Sequence, residues 1–139
     1  MAFKHAKNNI VFWPVKLIER NPDGGEQSEK VVYIQYRIFG RSERKERERK
    51  TRAALSALTS AKPGEEFAAA NVAVEKLKEE ADADVCNRIC GWRDLTDAAG
   101  QPLPFSAEAL AELLEDEAHF DRIAAGLNEA SRGARAKNS

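Results

Sequence analysis

The chain lacks any apolar run near the roughly 20 consecutive residues that a membrane-spanning helix needs, so no segment is read as crossing a bilayer. It has two cysteines, Cys86 and Cys90, which do not make a disulfide framework. Its two histidines, His5 and His119, sit in no paired motif, and a structural zinc site needs four ligands. There is no GxSxG, no HExxH, no glycine-rich phosphate loop, and no nucleophile beside a plausible base. No catalytic residue, metal or cofactor is therefore assigned. A net charge of -1 gives no global field that would draw in nucleic acid or an anionic membrane. The first residues, MAFKHAKNNIVFWP, contain no continuous apolar core and no small-residue cleavage site, so they do not read as a signal peptide. These absences fit a protein of a reducing cytoplasm.

What remains is an ordinary soluble composition, 42% hydrophobic and 32% charged over 139 residues. One domain over 1–139 with a modest core is expected, with loose ends at 1–9 and 133–139. Residues 10–19, IVFWPVKLIE, are β-branched and aromatic, and Pro14 within them fits only an edge strand or a break. NPDGG (21–25) is a turn. Residues 30–39, KVVYIQYRIF, alternate, with Val32, Ile34, Tyr36 and Ile38 on one face and Gln35 and Arg37 on the other. The two runs make an antiparallel hairpin.

Gly40 closes the second strand, and Ser42 is a suitable cap for a helix that opens polar and ends apolar at Leu55, Ala57 and Leu58. Pro63-Gly64 punctuates it. A second helix is expected from about Glu65 to Ile89, with Phe67, Val74, Leu77, Ala81 and Val85 as an inward stripe and Gly91 as its end. That places Cys86 and Cys90 on one helix face, as two small core residues. Two further helices follow Ser106, the last over about 117–131 with Phe120, Ile123, Ala124 and Leu127 inward. The fold class is thus α+β: an N-terminal antiparallel hairpin packed with about four helices, plus a small hairpin or turn at 91–105.

Two stretches invite a functional reading. RSERKERERKTR (41–52) carries seven Arg or Lys, among them Arg44 and Arg47. Its three interleaved glutamates suit i,i+4 pairing on a solvated helix, and no aromatic residue within it is available to stack on bases. Nucleic-acid binding is the lesser reading there. GWRDLTDAAGQPLPFS (91–106) packs two glycines, two prolines, Trp92 and Phe105 into one connection. Asp97 to Gly100 has the residue preferences of a type I turn, and Pro102 and Pro104 favour extended backbone before them. Ser106 is a good N-cap, with Phe105 and Leu110 at the positions of a hydrophobic staple. Trp92, Leu103 and Phe105 then pin a small hairpin as a clasp, or some of them form a partner surface. Asp94 and Asp97 read as turn residues rather than an acid–base pair.

The block GWRDLTDAAGQPLPFSAEALAELLED also resembles the C-terminal signature of tail assembly chaperones of long-tailed bacteriophages and prophages. The resemblance lies in Gly91-Trp92, the turn from Asp97 to Gly100, the run Pro102 to Phe105, and Leu113-Leu114 with Asp116. It extends more loosely to Trp13-Pro14-Val15 and to the final helix near Ala130–Ala134. Relatives often break the helix with a Pro after the Leu-Leu-Asp end. Here Glu117-Ala118 follows, which leaves open whether the last two helices are separate or continuous.

The resemblance implies a non-catalytic protein of the host bacterial cytoplasm, absent from the mature virion. It would bind the tape measure protein and keep it soluble while tail tube subunits polymerise. The resemblance also implies a longer slipped product, for which Lys137-Asn138 fits the codons, and, apart from the resemblance, the edge strand and mixed surfaces point to a homo-oligomer. The surfaces open to a client are Phe12 with the rim around Tyr33 and Phe39, the helix bearing Arg44 and Arg47, and the exposed parts of Trp92 and Phe105. The alternatives are a small nucleic-acid-binding regulator acting through 41–52, and a structural minor tail protein.

Overall fold

The computed structural model describes residues 9–59, 62 and 64–133, with the backbone alone for 57–59. Residues 1–8 with His5, the side chains of Ala57 and Leu58, Pro63, and residues 134–139 with Lys137-Asn138 lie outside the described residues. The elements in chain order are β1 (Ile10–Glu19), β2 (Ser28–Arg37), α1 (Arg41–Thr59), α2 (Glu66–Arg88), β3 (Ile89–Arg93), α3 (Ala107–Leu114) and α4 (Glu117–Arg132). The fold is α+β. Two compact units share it, one built from residues 1–38 and 88–139, the other from 39–87.

The first unit is a three-stranded antiparallel sheet in the order β1-β2-β3. Pro14 lies mid-strand opposite Tyr33 without disturbing the register, as an edge strand allows. Strand alternation sends Val15 and Leu17 of β1 and Val32, Ile34 and Tyr36 of β2 to one buried face. α4 covers that face with Ile123, Leu127 and Ala130. The Tyr36 hydroxyl donates to the Ile123 carbonyl at 2.7 Å, which satisfies a phenol that is fully buried. Burial, and then the charge of Glu129, push that hydroxyl's pKa above its ordinary value. At the sheet's end, His119 Nε2 lies 2.9 Å from the Ile18 carbonyl, and Arg122 donates to the Lys16 carbonyl at 3.0 Å.

The residues 89–93 correct the sequence reading. α2 stops at Arg88, and ICGWR is a third strand rather than a helix end. A five-residue strand containing glycine has no strand signature of its own; the free edge of β2 recruits it, with a register shift between Gln35 and Tyr36. Gly91 lies opposite Gln35, where an added Cβ would stand 2.9 Å from the movable Oε1 of Gln35. Cys86 and Cys90 consequently do not share a helix face: Cys86 is half-buried on α2, and Cys90 is exposed on β3. Burial pushes the Cys86 thiol pKa up, which makes it a weak nucleophile.

The segment after β3 folds as the clasp expected of it. Gly100 N–H donates to the Asp97 carbonyl at 3.0 Å, and Asp97 Oδ1 accepts from the backbone of Ala99 and Gln101. The hairpin closes with Leu103 N–H on the Leu95 carbonyl at 2.9 Å. Ser106 caps α3 by accepting from Ala109 N–H at 3.0 Å. The open question of the last helices has a clear outcome: they are separate. Asp116 makes the break without proline, accepting from Ala118 N–H to cap α4. Arg20 reaches Asp116 in a bidentate pair at 3.0 and 3.1 Å.

The Arg20 hydrogen bonds, more than the charge of His119, lower the Asp116 carboxyl pKa to about 2. A carboxyl whose folded pKa lies below its ordinary value of 3.8 adds stability at higher pH and loses it as pH falls toward 2. Asn at 116 keeps the capping oxygen and removes the ion pair. The melting-temperature gap between wild type and Asp116→Asn is therefore expected to be full at neutral pH and to close between pH 4 and 2. A gap independent of pH would remove Arg20–Asp116 as its source.

The second unit contains α1 and α2. α1 begins two residues earlier than a Ser42 cap requires: Gly40 offers its carbonyl to Arg44 N–H at 3.1 Å, and Glu43 reaches back to Gly40 N–H. Ser42 lies within the helix. The inward stripe expected on α2 holds only in part. Leu77, Ala81 and Val85 are half-buried, but Phe67 is 80% exposed and Val74 63%. The most buried position on α2 short of Arg88 is Ala73. Ala53, Ala54, Ala69 and Ala73 line an open groove between α1 and α2 rather than a packed seam, so the two helices cover little of each other's apolar surface.

Candidate partner-binding surface

The face of the sheet opposite α4 is assembled by the same alternation that builds the core. Its side chains fall in rows across the strands: Ile10 beside Arg37, Phe12 beside Gln35 and Gly91, Pro14 beside Tyr33 and Arg93, Lys16 beside Val31. Val31 is 45% exposed, Phe12 39% and Ile10 38%. Arg93 lies over two rings at once, its guanidinium 4.3 Å from the centre of Phe12 and 4.8 Å from that of Tyr33. Both distances are within cation–π range.

The seven residues singled out from the sequence separate into three places. Phe12 and Tyr33 share the open sheet face, through Arg93. Trp92 and Phe105 form the clasp. Their rings meet edge to face with centroids 4.9 Å apart, and Trp92 Nε1 donates to the Leu103 carbonyl at 2.8 Å. Trp92 is half-buried, so most of its surface is committed to holding the hairpin, while Phe105 keeps 37% exposure. Phe39 follows β2, which ends at Arg37, and belongs to the helical unit, under the Arg47 guanidinium at 5.4 Å. Arg44 is exposed on α1.

Arg47 also faces Asp84 at 3.6 Å, and Arg49 pairs with Glu46 within α1. The basic stretch is thus partly neutralised by its own unit, as the interleaved charges suggest. Among the described residues no group of three or more His, Cys, Asp or Glu is placed to hold a metal ion. Nor is any described helix long and apolar enough to cross a membrane. Comparisons with protein-family models, curated proteins and solved structures return no match to this chain.

Arg93, Val31 and Ile10 were not among the sequence candidates. Arg93 becomes a face residue only once 89–93 is a strand, and no local pattern marks that strand. Val31 and Ile10 were legible in principle, since they alternate with core residues. In the helical unit, Phe67, Val72 and Val74 are more than half exposed. An open groove of about 890 Å³ runs between α1 and α2, floored by Ala53, Ala54, Ala69 and Ala73.

Proposed function

We propose that this protein is a tail assembly chaperone of a long-tailed phage or prophage. It acts in the host cytoplasm, binds the tape measure protein, and holds it soluble until tail tube subunits enclose it. It performs no catalysis and is left out of the mature virion. The observation that carries the reading is the exposure of large apolar side chains in both units: Phe12 and Val31 on the sheet, Phe67, Val72 and Val74 on α2. Exposed apolar groups that cluster mark surfaces that partners cover, and Ile10, Phe12, Tyr33 and Val31 lie in successive rows of one sheet face. The resemblance of residues 91–116 to the chaperone signature supports the same reading and names the client.

A long client is best served by many copies, each contact weak and the sum strong. The regulator reading gains less support, because Arg47 and Arg49 of α1 already face Asp84 and Glu46. Co-expression with the neighbouring tape measure gene tests the proposal: soluble client and co-purification are expected. Detection of this chain in purified virions would favour a structural tail protein instead.

A further inference from the structure

We propose that the open sheet face is the seat for the client and that it takes an acidic amphipathic helix; the inference rests on the chaperone reading above. The charged side chains that alternate to this face are Lys16, Glu29, Arg37 and Arg93. Arg37 is engaged within the protein, so Lys16 and Arg93 carry the open positive charge, and the one acid, Glu29, lies at the far end and is bridged by Arg122 at 3.3 Å. The face is therefore electropositive although the chain as a whole carries a charge of -1. Between its cations lie Ile10, Phe12, Val31 and Tyr33. Cations set among exposed apolar groups complement a helix with carboxylates flanking an apolar stripe.

Arg93 is the centre of this site. It makes no ion pair among the described residues, and the rings of Phe12 and Tyr33 hold its guanidinium in place. A guanidinium fixed in this way loses little freedom when a carboxylate docks on its fork. Rows two residues apart are about 7 Å from one another, so the four rows span about 20 Å. A helix of about 14 residues covers that length. Arg93 stacks on the same rings that would otherwise receive bases, which disfavours a nucleic-acid strand on this face.

The test uses the full chain and three probes: a 14-residue helical peptide with leucines at three- and four-residue spacing flanked by glutamates, the same peptide with lysines for glutamates, and a single-stranded oligonucleotide. Titrations at low salt are followed by NMR. The acidic peptide is expected to bind and to shift resonances of Phe12, Tyr33, Val31 and Arg93, with the lysine peptide at least tenfold weaker. Arg93→Gln is expected to weaken the acidic peptide about tenfold, and Val31→Glu, at an exposed position that leaves Arg93 intact, to weaken it as well. Equal binding of the two peptides, undiminished binding by both variants, or tighter binding of the oligonucleotide than of the acidic peptide would overturn the site. Co-expression separates the two levels. Rescue of the tape measure protein by Arg93→Gln as full as by wild type overturns this site alone; no rescue by wild type overturns the chaperone reading.

Discussion

Gly126→Ala is expected to destabilise the protein by about 1–3 kcal/mol, even though alanine favours a helix by about 1 kcal/mol over glycine. The two effects have opposite sign, and geometry decides between them. A Cβ at 126 would lie 2.6 Å from Tyr36 Oη and 2.8 Å from Val15 Cγ2. Tyr36 has no room to swing aside, because it is fully buried and its hydroxyl is bound to the Ile123 carbonyl. Val15 is a stiff β-branched side chain in a paired strand. α4 must therefore lift from the sheet or lose the Tyr36 hydrogen bond. Urea denaturation of the two proteins measures the difference. A variant as stable as wild type, or more so, would show that the helix and sheet do not approach this closely.

Trp92→Ala is expected to cost more, about 2–4 kcal/mol, toward the low side of the range for large aromatic truncations because Trp92 is only half-buried. The change removes the edge-to-face contact with Phe105 and the hydrogen bond to the Leu103 carbonyl. It also deletes a side chain from the edge strand β3, opposite Ile34 of the central strand. Trp92→Phe, which keeps a ring and loses the indole N–H, is expected to cost about 1 kcal/mol. Hydrogen exchange gives a local readout: the Leu103 amide, bound to the Leu95 carbonyl, should lose protection in the alanine variant. Unchanged protection there, with wild-type stability, would mean that Trp92 does not hold the hairpin.

The parts of the fold legible in the sequence are those where local chemistry and tertiary demand agree. Alternation in 10–19 and 30–39 located both long strands, because one face of each is buried and the other is not. The clasp was legible because Asp97, Gly100 and the two prolines restrict the backbone before any packing occurs. Ser106 was readable as a cap for the same reason. β3 was not, because its five residues are a strand only by pairing with β2. Arg93, at the centre of the open face, was hidden along with it. The exposure of Phe67 and Val74 was hidden by a different cause. Periodicity tells which residues share a helix face, and it does not tell whether a third element is present to cover that face. The ion pair from Asp116 to Arg20, 96 residues away in sequence, had no local signal at all.

The stacked arginine and the exposed apolar rows give the proposed chaperone a surface that needs a partner and a charge that selects one. The clasp commits most of Trp92 to structure, and the proposed client seat is centred on Phe12 and Tyr33, joined by Arg93. The most direct measurement is the soluble fraction of the tape measure protein expressed with and without this chain in the host cytoplasm, followed by affinity capture through a tag on the client. The account predicts that the client is largely insoluble alone, and that it becomes soluble and brings this protein with it when the two are expressed together. A client equally soluble in both cases, or rescued by no amount of this protein and never captured with it, would contradict the account.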